Sequence, residues 1–281
     1  MGGKWSRPQP RTTPLSLPAA QSEMAPILLR EDRGPVAILT LNRPRQLNAL
    51  SGAMIDALSA ELRRLETDPR IRVVVLAGSG SAFSAGHDLK ELRSLRSREE
   101  IHGIFARCCA VMLGLRRLPQ PVIARIHGIA TAAGCQLVAA ADLAVASEKA
   151  RFATSGINVG LFCSTPAVAL SRDVSDKQAF EMLMTGDFID AARAREIGLV
   201  NRVVPESELD GAIADLAGRI IAQSPLALRR GKELFYRQRG MELADAYALA
   251  SEAMADNMMA EDAAEGIDAF LLKRKPVWHG R

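Results

Sequence analysis

Val122-Ile-Ala-Arg-Ile-His-Gly-Ile-Ala-Thr-Ala-Ala-Gly-Cys-Gln136 is the stretch whose reading decides the fold. Its first five residues are a short apolar run that follows Pro119 and Pro121 and stops at a glycine, the pattern of a buried strand. The second half changes period: Thr131 is a capping residue type, and the small residues after it open a helix that continues through Leu137 and Val138. A helix capped at Thr131 leaves the N–H groups of Ala132, Ala133 and Gly134 without intrahelical acceptors, at the positive end of the helix dipole. Such a turn can polarise a carbonyl oxygen. The same residues also describe a capped, buried helix start whose small side chains permit close packing, and that plainer reading is the one the stretch by itself favours.

The strand-turn-helix unit recurs on either side. Residues 35–41 and 72–77 are short apolar runs bounded by Gly and Pro, as buried strands are. Between them Ser51 caps a helix with Met54, Leu58, Leu62 and Leu65 on one face, ended by Asp68-Pro69. A long helix over about 99–118 leads into the strand 122–126, and residues 143–146 form another strand. Strand and helix in alternation predict an α/β core. A second glycine-rich turn, Ser81-Ala-Phe-Ser-Ala-Gly-His-Asp-Leu-Lys-Glu91, follows the strand at 72–77. After Pro205 the strand signal ends, and Ala-rich periodic segments over 206–223, 225–238, 241–256 and 260–273 predict helices to the C-terminus. The expected organisation is an α/β core over 25–205 and a helical oligomerisation region over 206–281. It is preceded by a disordered, basic, Pro-rich extension over 1–24.

Composition narrows the function classes. The chain has 281 residues, 48% of them hydrophobic, with 36 Lys+Arg against 32 Asp+Glu, enough to bury one large domain. Residues 1–22 hold Lys4, Arg7 and Arg11 and no acid, so most of the +4 charge belongs to the extension. The remaining bases are scattered and aromatics make up 4% of the chain, which argues against nucleic-acid binding. The most apolar uncharged stretch, 126–141, contains His127, two glycines and Gln136, and Asp142 stops it short of a membrane span. Cys108, Cys109, Cys135 and Cys163 show no CxxC spacing, and His87, His102, His127 and His279 include no pair four apart. No metal site is expected, and the thiols read as reduced and intracellular. Met1-Gly2 with Ser6 fits an N-myristoylation pattern, and the acid-free start also suits a transit peptide spoiled by its prolines. The expected location is a bacterial cytoplasm, with the mitochondrial matrix as the alternative.

Several motifs in order carry a family resemblance: Leu41-Asn-Arg-Pro-Arg-Gln-Leu-Asn-Ala-Leu50, Ala82-Phe-Ser-Ala-Gly-His-Asp-Leu-Lys-Glu91, the turn at 127–136, and Glu265-Gly-Ile-Asp-Ala-Phe-Leu-Leu-Lys-Arg-Lys275. From about residue 26 to 275 the chain resembles the enoyl-CoA hydratase/isomerase, or crotonase, family. Gly160-Leu-Phe-Cys-Ser-Thr-Pro166 and the ending Lys275-Pro-Val-Trp278 bring it nearest to that family's domain-containing protein 3 type. The resemblance implies a spiral of ββα units and a C-terminal helical region that forms a trimer or a dimer of trimers. It implies an acyl-CoA or enoyl-CoA thioester as partner, with coenzyme A entering as part of the substrate and no permanently bound cofactor. The thioester oxygen would lie between two backbone N–H groups, at positions matching His87 and Ala133. Ala85, His87, Asp88, Leu89 and Lys90 match the segment lining pantetheine and adenine, and Arg45 falls near the nucleotide phosphates. Phe270 and Lys273 match a contribution from an adjacent subunit. Plain alternatives stand beside these roles: Asp88 as a cap, Phe270 as core, Lys273 as part of a solvated basic end.

The chain departs from the family where hydration chemistry resides. Hydratases of this family manage water with two glutamates, and here those positions are Gln136 and Gly156. An amide orients water but accepts no proton at neutral pH, and glycine offers only backbone. General acid–base help is worth about 100-fold to 10,000-fold, so standard hydration is not expected. One reading is enolate chemistry with a base borrowed from His87, Cys163, Asp88 or Glu91. Its variant uses a bound anion such as bicarbonate near Thr154-Ser-Gly156, as in the family's dihydroxynaphthoyl-CoA synthases. A second is a non-catalytic acyl-CoA binder or regulator of fatty acid metabolism, and a third is a scaffold that binds no CoA. Gain of hydration on installing Gln136→Glu with Gly156→Glu would show that the pocket is otherwise intact.

Overall fold

The computed structural model describes residues 26–281. The expectations for residues 1–24 lie outside the described residues. The strands are β1 (Leu28–Arg33), β2 (Val36–Leu41), β3 (Val73–Gly78), β4 (Ala82–Ser84), β5 (Val122–Ile126), β6 (Ile129–Thr131), β7 (Leu143–Ser147), β8 (Arg151–Ala153), β9 (Ile189–Asp190) and β10 (Arg202–Val204). The helices are α1 (Gly52–Glu66), α2 (Leu89–Ser94), α3 (Arg98–Arg117), α4 (Ala133–Ala140), α5 (Ser164–Leu170), α6 (Asp176–Thr185), α7 (Ala191–Glu196), α8 (Leu209–Ile221), α9 (Pro225–Gln238), α10 (Leu243–Met258) and α11 (Glu261–Leu271).

A six-stranded sheet runs β1-β2-β3-β5-β7-β10, and a four-stranded sheet runs β4-β6-β8-β9. Every pairing from β2 to β10 in the large sheet is parallel; β1 closes its edge as an antiparallel hairpin with β2. The chain winds through the two sheets in repeated turns. β3, β5 and β7 each take a place in the large sheet, the next strand of three residues takes one in the small sheet, and a helix follows. This is the expected ββα spiral.

The apolar runs read as strands because both faces of the large sheet are covered. Ala37, Leu39, Val74, Leu76, Val122, Ala124, Ala144 and Ala146 face the main core, while Ile38, Val73, Val75, Ile123 and Val145 face the other way. That second face is sealed by Leu209, Ile213 and Ala217 of α8, residues four apart on one helical stripe. The apolar stripe of α8, expected to lie in the helical region from 206 onward, thus packs on the chain's own sheet and joins its core. α9 is anchored by the Lys232 ammonium, which donates to Asp142 (2.6 Å), to the Leu115 carbonyl (2.9 Å) and to the Gln120 carbonyl (3.0 Å). α10 has no buried residue, and Leu243, Tyr247, Met254 and Phe270 stand exposed on α10 and α11.

Capping signals act where the sequence places them. Ser51 accepts from the Met54 N–H at the start of α1, and Ser97 with Glu100 forms a capping box at the start of α3. Among the described residues no helix is long and apolar enough to cross a membrane.

Candidate active site

The first glycine-rich turn leaves β4 and is shaped by a side chain outside it. Asn48 is fully buried, and its amide donates to the carbonyls of Ser79 (2.8 Å) and Ala82 (2.7 Å) while its oxygen accepts from the Arg43 N–H (2.9 Å). Leu47 and Asn48 both take left-handed backbone (φ 49° and 54°), a conformation Asn tolerates better than most residues. The segment so bent runs beside the turn: Ala85 N–H donates to Leu47 O (2.9 Å), Leu50 N–H to Gly86 O (2.7 Å) and Asp88 N–H to Leu50 O (3.2 Å). Bonds fall on either side of His87 and leave its own N–H without a protein acceptor.

The second turn leaves β6 and abuts the first. A Cβ on Gly86 (φ +86°) would stand 3.0 Å from the Ala133 nitrogen, and one on Gly134 would stand 2.1 Å from the Ser84 carbonyl. Only glycine permits this approach. Thr131 does not cap α4 as expected. Its hydroxyl instead bonds the Ser155 hydroxyl (2.7 Å), and Ala132 becomes the N-cap with φ 50° and ψ −119°. That backbone is strained by about 1–3 kcal/mol for a residue with a Cβ. The Ala132 N–H is also not free, since it donates to Ala153 O (3.0 Å). Among the described residues the N–H groups of His87, Ala133 and Gly134 have no acceptor.

Both turns open into a cavity of about 390 Å³. Ala85, His87, Leu89, Ala132 and Ala133 contribute from the turns, Leu92 and Phe105 from α2 and α3, and Ser155, Gly156, Val159 and residues 161–166 from the segment after β8. Among the described residues no carboxylate lines it. Apart from the Cys163 thiol, His87 is its titratable side chain. The His87 ring meets Phe105 edge-on at 4.9 Å, and neither ring nitrogen is exposed or hydrogen-bonded. Burial pushes its pKa down, with the Leu50 backbone opposing in part. Two unmet nitrogens cost about 1–3 kcal/mol each, more than the roughly 0.5–1.5 kcal/mol of an aromatic edge contact. The edge contact does not offset that cost, so the ring sits in the wall with polar capacity unspent.

The remaining residues singled out from the sequence fall at several distances from this cavity. Asp88 caps α2 through the N–H groups of Lys90 (3.1 Å) and Glu91 (3.3 Å) and pairs with Arg43 (3.0 Å). Glu91 accepts from the Gly52 N–H (2.9 Å) at the start of α1. Both acids are engaged outside the cavity wall, which removes them as substitute bases. Burial holds the Cys163 thiol above its ordinary pKa and so protonated. Arg45 and Lys90 lie exposed near the first turn, whereas Phe270 and Lys273 sit at the end of α11, outside the wall of this cavity.

At the two glutamate positions the structure differs from the sequence picture. Gln136 is buried on α4, outside the cavity wall, and its Oε1 has no partner. Gly156 lines the cavity, but a Cβ there would lie 2.6 Å from the Leu161 carbonyl oxygen and 2.7 Å from Cys163 Sγ. The position is closed at its first carbon. A glutamate side chain at this position would have to displace the Leu161 carbonyl and the Cys163 thiol. Asn48 and Phe105 escaped the sequence reading. Asn48 lay within a quoted motif, and Phe105 stands one residue off the buried stripe of α3.

Comparisons with known proteins agree with this architecture. The enoyl-CoA hydratase/isomerase family profile matches residues 31–281. Mouse enoyl-CoA hydratase domain-containing protein 3, mitochondrial, is 45% identical over 268 residues, covering 95% of this chain and 89% of that protein. The crystal structure of the human domain-containing protein 3 superposes with a TM-score of 0.88 at 45% identity, over 90% of this chain and all of that one. A Mycobacterium smegmatis enoyl-CoA hydratase structure superposes at 0.89 with 57% identity, over 91% of this chain and all of that one. With its spiral of ββα units and its paired turns, the chain belongs to the enoyl-CoA hydratase/isomerase family.

Proposed function

We propose that the cavity binds the acyl thioester of a CoA substrate and polarises its carbonyl between the N–H groups of His87 and Ala133, without the two-carboxylate hydration of the family's hydratases. One observation carries this reading: two adjoining turns present unclaimed N–H groups at a mostly apolar cavity whose wall holds no carboxylate. Fixed donors aimed at a developing enolate oxygen stabilise it without reorganising, and losing one typically costs about 100-fold to 1,000-fold in rate. Coenzyme A enters as part of the substrate, with the exposed bases Arg45 and Lys90 as candidates for its phosphates. Phe270 and Lys273 would reach a neighbour's site in a trimer or dimer of trimers, and the exposed apolar residues of α10 and α11 supply a surface for that association. The mouse relative's mitochondrial name supports the mitochondrial alternative over a bacterial cytoplasm.

Titration with crotonyl-CoA, following heat of binding and loss of the enoyl chromophore together, tests the reading. Binding with hydration at the rate of the uncatalysed reaction, or barely above it, is expected. Brisk hydration would overturn the argument from Gln136 and Gly156; absence of binding would overturn the acyl-CoA assignment and leave the scaffold reading.

A further inference from the structure

We infer that the His87 imidazole is the proton acceptor of this cavity, taking a proton from the α-carbon of a thioester whose oxygen is held by the N–H of the same residue. The inference rests on the acyl-CoA reading and deepens it by naming the base. Connectivity gives the first reason. Ring and backbone N–H belong to one residue, so a carbonyl bound at the N–H brings its α-carbon within one side chain's reach.

The cavity wall gives the second. Phe105 holds the ring edge-on at 4.9 Å, and both nitrogens are shielded from water and without a partner. His127 is the contrast, with Nε2 engaged by the Gly80 carbonyl at 2.8 Å. For a nitrogen to meet the α-carbon the ring must turn out of its contact with Phe105 and away from the Leu50 backbone, and no side-chain hydrogen bond resists that motion.

Elimination gives the third. Asp88 is tied to Arg43 and Glu91 to the start of α1, while the Cys163 thiol in the cavity wall stays protonated. No charged side chain shifts the ring; burial alone lowers its pKa, with the Leu50 backbone opposing, so at pH 7 the imidazole is neutral and able to accept.

The step balances without a co-reactant. The unprotonated ring nitrogen takes the α-proton, the C–H pair becomes the Cα–C double bond, and the carbonyl π pair moves to oxygen between the His87 and Ala133 N–H groups. The imidazolium then returns the proton to the α-carbon, or to the γ-carbon of a 3-enoyl thioester, which shifts the double bond.

The test uses the full chain in D2O with butyryl-CoA, reading α-hydrogen exchange by mass spectrometry and affinity by calorimetry. The wild type is expected to exchange, with a rate that rises with pH through a midpoint below the ordinary histidine value of about 6.5. His87→Phe, which keeps the packing on Phe105, and His87→Gln should both lose exchange by about 100-fold to 10,000-fold. Both keep the backbone N–H, so both should still bind butyryl-CoA in the calorimeter, which separates loss of the base from loss of the site. Exchange in both variants within tenfold of wild type would overturn the proposal, as would tight wild-type binding with no exchange above buffer. Failure of the wild type to bind would sink the acyl-CoA reading along with it.

Discussion

Gly156→Glu is the substitution a family comparison invites and the one the structure opposes. The new Cβ would stand 2.6 Å from the Leu161 carbonyl oxygen and 2.7 Å from Cys163 Sγ. Ordinary contact begins near 3.4 Å, so both neighbours must give by about 0.7–0.8 Å. Neither gives easily. Leu161 N–H donates back to the Gly156 carbonyl at 2.9 Å, which closes the turn on itself, and Cys163 is buried as the N-cap of α5. Forced packing of this kind costs about 1–3 kcal/mol, and at about 2–4 °C per kcal/mol the midpoint of that range lowers the melting temperature by about 4–8 °C. Adding Cys163→Ala removes the sulfur contact and leaves the carbonyl contact, so it should recover part of the loss. Combined with Gln136→Glu, either version should leave crotonyl-CoA hydration near the wild-type level. Thermal melts and the chromophore assay on the single and combined variants decide the matter. An unchanged melting temperature with brisk hydration in the double glutamate variant would refute the closed-turn argument.

Three further outcomes are expected. Asn48→Ala strands the Ser79 and Ala82 carbonyls and the Arg43 N–H; at about 1–3 kcal/mol per unmet buried group the loss in chemical denaturation should exceed about 3 kcal/mol, and a loss below 1 kcal/mol would contradict the network's role. Gly134→Ala drives a Cβ to 2.1 Å from the Ser84 carbonyl and so wedges the two turns apart; any enolate chemistry should fall about 100-fold to 1,000-fold, and an unaltered exchange rate with butyryl-CoA would count against the paired donors. The pH test concerns Asp173, whose pKa burial raises from 3.8 to about 6 despite the Arg116 pair at 3.3 Å. Between those values the unfolded chain loses the proton first, so the folded state loses stability as pH rises through that window. Relative to Asp173→Asn, the wild type should weaken by about 2–3 kcal/mol from pH 4 to pH 7; a pH-independent difference in denaturation midpoints would refute the shift.

Much of the fold was legible because its signals are local. The runs at 35–41, 72–77 and 122–126 announce buried strands, and Ser51 caps its helix as read. The strands β4, β6 and β8 were not legible. At three residues each they carry no periodicity, and they exist through pairing with one another. Yet these strands deliver the two turns. Thr131 was misread as a cap because its hydroxyl has a better partner, Ser155, contributed by a segment distant in sequence. The stripe of α8 looked like an oligomer surface since nothing local says which sheet it will meet. Asp88 and Glu91 looked available for chemistry, and only the fold brings Arg43 and the Gly52 N–H to them. Gly156 read as a vacancy, whereas the following turn has closed over it.

The central claim is that the N–H groups of His87 and Ala133 grip a thioester oxygen. The carbonyl infrared stretch of a 13C-labelled acyl-CoA, recorded free and bound to the full chain, measures that grip directly. The account predicts a shift to lower frequency on binding, reduced in Gly134→Ala and retained in His87→Gln, where the backbone donor survives. A bound thioester whose stretch matches that of the free ligand would contradict it.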